Sequence, residues 1–142
     1  MSVRSTANAE WKGGLKDGEG HMQLGGGAYD GQFTFASRFE SGDGTNPEEL
    51  IAGAHAGCFS MQLSGLLTKD GHPPTSVRTS ATVTIEAGVG ITGIELTTEA
   101  DVPGIDEDAF QEAANTAKEI CPVSQALKAV GNVTLTAKLV GS

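Results

Sequence analysis

Five stretches of the chain have the apolar and polar alternation, or the composition, that predicts β-structure. Three of them lie near the N-terminus between glycine-rich turns and predict an antiparallel meander. A longer stretch rich in Val, Ile and Thr predicts an antiparallel hairpin that turns at residues 88–90. The predicted segments are residues 8–15, 20–26 and 32–40 for the meander, residues 76–102 for the hairpin and residues 132–140 for a last strand.

A long helix is predicted from Pro47 to about Lys69. In this segment the period-two alternation of the preceding strands is replaced by a nearly continuous apolar composition. It opens on a cap residue, a proline in the first turn and two acidic residues that favour the positive end of the helix dipole. In chain order these residues are Asn46, Pro47, Glu48 and Glu49. Because the helix is apolar on nearly all sides, we expect it to be buried.

Two further helices are predicted in the C-terminal half. Residues 106–120 form an amphipathic pattern that opens on three acidic residues, and Pro122 ends it. A short helix over residues 122–129 follows.

Length and charge narrow the class of protein. A chain of 142 residues with 38% hydrophobic residues has the size of one domain, residues 1–142, that buries its own core. The formal charge of −9 disfavours nucleic acid and anionic lipid surfaces as partners. We expect neither a secretory leader nor a membrane-spanning stretch, and therefore a cytoplasmic protein whose thiols are kept reduced.

The two cysteines have different local settings. Cys121 directly precedes Pro122, at the start of a short helix, where free N–H groups favour a thiolate. Cys58 lies in the middle of the apolar helix, where burial raises the pKa of a thiol, so it becomes reactive only beside a cation. Small core residues, metal ligands and a redox pair are all open interpretations of these thiols.

Arg38 is the cation that stands out, because it ends an apolar strand just before the loop that leads to the helix. An arginine there needs an acidic partner, and Glu48 or Glu49 could supply it. At about 100° per residue, Glu48 lies about 80° around the helix from Cys58, whereas Glu49 lies on the opposite side. Glu48 is therefore the better candidate.

Three segments around these residues closely resemble the OsmC/Ohr family of thiol-dependent peroxidases, and its OsmC branch most of all. They are RFE…GTNPEELIAGAHAGCFSMQLS over residues 38–64, VPGID over residues 102–106 and CPVSQALKA over residues 121–129. The similarity extends from Trp11 to Leu139. It implies an α+β fold in which antiparallel sheets wrap long central helices in an intertwined homodimer, with active sites at the subunit interface.

The resemblance also implies an activity and roles for four residues. The activity is reduction of organic hydroperoxides, and more weakly of hydrogen peroxide, in oxidative or osmotic stress, without metal, haem or flavin. Cys58 matches the peroxidatic cysteine, Cys121 the resolving cysteine, Arg38 the arginine that holds the thiolate, and Glu48 the carboxylate partner of that arginine. An external dithiol, either a lipoylated protein or another donor, would reduce the disulfide. The resemblance gives no catalytic role to His55.

Two alternatives from other classes remain at this point. One is a non-catalytic stress protein that binds zinc through His55, Cys58 and Cys121, although the chain has no CxxC pair. The other is a small-molecule binding protein with buried thiols. The apolar residues near the proposed site, Phe35, Phe39, Phe59 and Met61, could line a substrate pocket or simply form core.

Overall fold

The computed structural model describes residues 1–141, which contain six strands and four helices. In chain order these are β1 (Ala7–Lys12), β2 (Glu19–Leu24), β3 (Asp30–Phe33), α1 (Phe35–Phe39), α2 (Pro47–Lys69), β4 (Ser76–Glu86), β5 (Gly90–Asp101), α3 (Glu107–Ile120), α4 (Pro122–Ala126) and β6 (Val133–Val140). They confirm the α+β class. The chain divides into two compact units, Met1–Leu50 and Ile51–Ser142.

The first unit contains the predicted meander. The strands β1, β2 and β3 pair antiparallel in that order. Trp11 of β1 and Phe33 of β3 lie on the same side, with ring centroids 5.4 Å apart. Gly20 lies opposite both on β2, and a side-chain Cβ there would come within 2.6 Å of atoms in both rings. A residue without a side chain is therefore required between them.

The predicted strand over residues 32–40 is wrong after Phe33, because the chain turns into the short helix α1. Thr34 caps this helix: its hydroxyl accepts from the backbone N–H of Ser37, and the Ser37 hydroxyl accepts from the N–H of Thr34. Phe35 and Phe39 then lie one turn apart, with ring centroids at 5.1 Å. The spacing of these two phenylalanines is compatible with one face of a strand and equally with one face of a helix. The Thr34–Ser37 cap stabilises the helix.

The second unit consists of a three-stranded sheet with helices packed on it. β4 and β5 form the predicted hairpin, with Ser76 opposite Asp101. β6 pairs with β5 in parallel, beginning at Ile94 opposite Val133, so this sheet is mixed and not purely antiparallel as expected. The physical reason is that α3 and α4 lie between these strands and carry the chain back before it re-enters the sheet.

The core of the second unit joins one face of α2, the inner face of β5 and one face of α3. All its members are apolar, and most have no exposed surface. They are Phe59, Leu63, Leu67, Ile94, Leu96, Ala100, Val102, Phe110, Ala113, Ala114 and Ala117. Cys121 and His55 are buried within the same unit.

The helix α2 begins and ends where the sequence predicted, but it is buried on one side only. Gly53, Ala54 and Gly57 are exposed, and Met61 is 79% exposed. Within residues 1–141, α2 is also the one helix long and apolar enough to span a membrane by length and composition, which the sequence analysis did not expect. Central helices of soluble proteins meet the same criterion.

Candidate active site

Arg38 and Glu48 form a two-pronged ion pair within the first unit. The guanidinium Nε donates to Glu48 Oε1 at 2.9 Å, and Nη2 donates to Oε2 at 3.0 Å. Glu48 is buried, whereas the Arg38 side chain is 37% exposed. Such a planar pair fixes the guanidinium more firmly than a single bond, and the N–H groups of Nη1 remain for a second acceptor.

The start of α2 sets the position of Glu48. Asn46 accepts from the backbone N–H of Glu49 through its Oδ1 at 2.8 Å, and its amide donates to the carbonyl of Ser37 at 2.9 Å. One side chain thus caps α2 and ties it to α1, the helix that carries Arg38. The prediction that Glu48, and not Glu49, is the acidic partner of Arg38 is confirmed. Glu49 is exposed.

Aromatic side chains lie near Arg38. Arg38 Cζ lies 5.2 Å from the centroid of the Phe39 ring, a cation–π arrangement. Arg38 and Phe39 also line a cavity of about 220 Å³ together with Trp11, Phe33 and Phe35. A charged group in this setting is suited to a ligand that is polar at one end and apolar at the other.

Cys58 and Cys121 are adjacent in the second unit. Cys58 lies in the middle of α2 and Cys121 between α3 and α4, and their Sγ atoms are 2.8 Å apart. Both are free thiols; Cys121 is fully buried and Cys58 partly exposed. Because the sulfurs already meet, a disulfide between them needs little movement of the backbone.

Hydrogen-bond donors surround the sulfur of Cys121. Burial raises the pKa of this thiol, but the donors outweigh burial and lower the pKa overall. The donors are the Cys58 thiol, the backbone N–H groups of Ser124 and Val123, and the Ser124 hydroxyl. The lowered pKa lies in the direction that the sequence predicts for a thiol at the start of this short helix.

Cys58 has the opposite tendency. Burial raises its pKa, and Cys121 raises it further through the hydrogen bond and through charge; the backbone N–H of Val123 acts the other way and is outweighed. Considering the second unit alone, the proton shared by the two thiols therefore lies preferentially on Cys58, and Cys121 is the one that ionises more readily. A cation from elsewhere is needed to make Cys58 the thiolate, as the sequence analysis inferred.

His55 and Ser124 lie beside the thiol pair. His55 has no exposed surface, and its Nε2 is 2.7 Å from Ser124 Oγ. Its Nδ1 is buried without a hydrogen-bond partner among residues 1–141, and burial lowers the pKa of the imidazole. Sequence reasoning missed Ser124; the signal was a hydroxyl three residues after Cys121 in the first turn of the following helix.

The four predicted site residues therefore form two pairs, one in each unit. A family model described as OsmC-like protein matches residues 40–136, which include three of the four. The chain belongs to the OsmC family.

Several relatives of this OsmC family member carry names that state an activity. The chain is 46% identical to Peroxiredoxin OsmC of Escherichia coli over 133 residues, which cover 91% of this chain and 93% of the relative. It is 34% identical to an organic hydroperoxide resistance protein of Xanthomonas axonopodis over 67% of this chain and 68% of that protein. The crystal structure of OhrB of Bacillus subtilis, an organic hydroperoxide resistance protein, superposes with a TM-score of 0.64 at 27% identity, over 95% and 98% of the two chains.

The zinc alternative gains no support from the geometry of this OsmC protein. In the part of the chain that the structure describes, no group of three or more His, Cys, Asp or Glu side chains is placed to hold a metal ion. His55 Nε2 is already bonded to Ser124, and the two sulfurs face each other.

Proposed function

We propose that this OsmC family member reduces organic hydroperoxides with Cys58 as the nucleophile and Cys121 as the resolving thiol. The class of enzyme, a thiol-dependent peroxidase of organic hydroperoxides, follows from the family and its named relatives. The observation that carries the assignment of residues is the 2.8 Å separation of two sulfurs that stand 63 positions apart in the chain.

The reaction proceeds in two oxidative steps. The Cys58 thiolate attacks the terminal oxygen of ROOH, the O–O bond breaks, and the leaving alkoxide takes up a proton to become an alcohol. Cys58 is left as a sulfenic acid. The thiolate of Cys121 then attacks the Cys58 sulfur and expels hydroxide, which leaves as water after protonation, and the Cys58–Cys121 disulfide remains.

Arg38 supplies the positive charge that Cys58 needs. Because its own surroundings raise the pKa of Cys58, a guanidinium beside the sulfur would favour the thiolate and stabilise the negative oxygen that departs. Glu48 orients Arg38 through the two-pronged bond, which leaves the N–H groups of Nη1 available to a second acceptor. The apolar cavity beside Arg38 supports an alkyl hydroperoxide as the preferred substrate over hydrogen peroxide.

An external dithiol completes the cycle, and the exposure of the two sulfurs indicates where it attacks. Cys58 is partly exposed and Cys121 is buried, so the donor reaches Cys58 and forms a mixed disulfide there. Cys121 leaves as the thiolate, for which its lowered pKa makes it the better leaving group. A lipoylated protein or another dithiol fits this scheme.

The active protein is a cytoplasmic homodimer in this proposal. The exposed side of α2 is a stripe of small and apolar residues, Gly53, Ala54, Gly57 and Met61, on which a second copy of the helix can pack closely. Strand β1 likewise has almost every side chain exposed. A second copy of this chain is therefore the proposed partner for both surfaces.

A steady-state assay tests the function. Consumption of cumene hydroperoxide and of hydrogen peroxide is followed with lipoylated protein, dihydrolipoamide or dithiothreitol as donor. Faster turnover of the alkyl hydroperoxide supports the proposal. No turnover with any donor would contradict it.

A further inference from the structure

The loop between β1 and β2, residues 13–18, carries an exposed leucine at the aromatic cavity of the first unit. Leu15 is 67% exposed, and it follows two glycines and precedes two charged residues. A single exposed leucine is ordinary on a protein surface. This one also lines the cavity of about 220 Å³ that Arg38 and four aromatic rings line. Leu15 therefore contacts solvent and the cavity at the same time.

The position of Leu15 depends on a bond between the loop and the cavity wall. The indole Nε1 of Trp11 donates to the carbonyl of Gly14 at 3.2 Å, and the backbone N–H of Gly18 donates to the same carbonyl at 2.8 Å. Gly13 has a φ of 95°, and a side chain at Gly18 would clash with backbone carbonyl oxygens. The bond that holds the Trp11 ring in the cavity wall thus also places the residue next to Leu15.

The cavity combines one charged group with mostly apolar surface. Glu48 occupies Nε and Nη2 of Arg38, so the N–H groups of Nη1 remain for a peroxide oxygen. Pockets for drug-sized ligands measure about 300–1,000 Å³. A cavity of about 220 Å³ therefore suits a smaller group, such as the branched alkyl or phenyl group of a hydroperoxide. Hydrogen peroxide has no apolar group and gains nothing from these walls.

We propose that Leu15 is a specificity-determining residue, which forms the outer wall of the subsite for the alkyl or aryl group of the hydroperoxide. The inference rests on the proposed function. An apolar group in the cavity removes its own surface and the cavity side of Leu15 from water together. A single methylene in such a pocket changes kcat/KM by about tenfold or more. Leu15 thereby favours an organic hydroperoxide over hydrogen peroxide.

The first test compares two substrates in steady state with a dithiol donor. In Leu15→Ala protein, the ratio of kcat/KM for cumene hydroperoxide to kcat/KM for hydrogen peroxide should fall about tenfold, because the larger substrate loses its outer wall. If both constants fall by the same factor, the ratio is unchanged and the inference is wrong, since activity is then lost without a change of specificity.

Two further variants show whether the apolar contact is the cause. Leu15→Met keeps an apolar side chain of similar volume, so the ratio should stay within about threefold of the parent. Val89→Ala is the matched control, because Val89 is also aliphatic and is 75% exposed in a hairpin turn of the other unit. An equal fall of the ratio in Val89→Ala would overturn the inference. So would a changed mass of Leu15→Ala protein in light scattering, which would assign Leu15 to the contact with a second copy.

The second test measures binding without chemistry. Trp11 is the one tryptophan of the chain and lines the cavity, so its fluorescence reports an apolar group bound there. Cumyl alcohol has the apolar group of cumene hydroperoxide but no O–O bond. It should change the emission of the parent protein saturably, and its Kd should rise about tenfold in Leu15→Ala.

The binding result separates this inference from the proposed function. Equal Kd values in the parent and in Leu15→Ala, or no response of Trp11 to cumyl alcohol, would overturn the assignment of Leu15. If the Kd values differ as expected and no hydroperoxide is turned over with any donor, the wall at Leu15 is supported and the proposed function fails instead.

Discussion

The sulfur atoms of Cys58 and Cys121 lie 2.8 Å apart at the meeting of α2 with the start of α4. One is partly exposed with a raised pKa, and the other is buried with a lowered pKa. This asymmetry supports the different tasks proposed for the two thiols, because attack on a peroxide requires access and closure of a disulfide requires a ready thiolate.

Oxidation should therefore close a disulfide within one chain. One equivalent of cumene hydroperoxide is expected to remove both thiols, and non-reducing electrophoresis should show no crosslinked dimer. Peptide mass spectrometry checks the linkage. In Cys121→Ser protein a dimedone-reactive sulfenic acid should persist at Cys58; its absence there would argue against Cys58 as the site of oxidation.

Arg38→Lys should lower kcat/KM for the alkyl hydroperoxide by about ten- to a hundredfold, because lysine cannot keep a two-pronged bond to Glu48 and also present a second N–H group. The pH midpoint of the first oxidative step should rise, because burial and Cys121 raise the pKa of Cys58 and a misplaced cation would no longer oppose them.

Arg78→Lys is the matched control for this change. Arg78 makes one bond to Glu99 at 3.2 Å on the surface of β4, and its loss should leave kcat/KM within about twofold. Equal effects of the two substitutions would show that the loss comes from replacing any arginine by lysine and not from the bonding of Arg38 in particular.

Met61→Glu should convert a dimer to monomers, because it places a charge on the exposed apolar side of α2. Light scattering after size exclusion measures the mass. Val89→Glu is the control, since Val89 is 75% exposed in the turn between β4 and β5 and should leave the dimer intact. A wild-type protein that is monomeric without detergent, or that partitions into vesicles, would contradict the assignment of this surface to a second copy.

The protein should lose stability in acid through His55. Its pKa is lowered in the folded state by burial, so its contribution is present above the unfolded value of 6.5 and is lost as pH falls through the folded pKa. The free energy of unfolding should fall by up to about 1.4 kcal/mol per pH unit from this residue in that window. Urea titrations at several pH values should show a shallower slope in His55→Gln than in a control, His72→Gln, which removes a partly exposed imidazole.

Much of the fold could be predicted because its signals are local. The cap and proline at the start of α2, the glycine turn between β4 and β5 and the acidic opening of α3 all act within a few residues, and the structure confirms these elements. The strand predicted through Arg38 failed because the Thr34–Ser37 cap outweighed an alternation that two phenylalanines share with a helix.

The site was predicted in part for the same physical reason. The pairing of Glu48 with Arg38 follows from helical geometry. The lowered pKa of the Cys121 thiol follows from its place just before the start of a helix. The contact between His55 and Ser124 joins residues 69 positions apart, and no local pattern indicates it. The parallel pairing of β6 is equally non-local, since it depends on how two helices return the chain to the sheet.

The central claim, that Cys58 is the nucleophile and Cys121 resolves it, is tested most directly by steady-state consumption of cumene hydroperoxide in three proteins. The unsubstituted protein should turn over many times with a dithiol donor, Cys121→Ser should consume little more than one equivalent, and Cys58→Ser should consume none. Undiminished turnover in the Cys58→Ser protein would contradict the account.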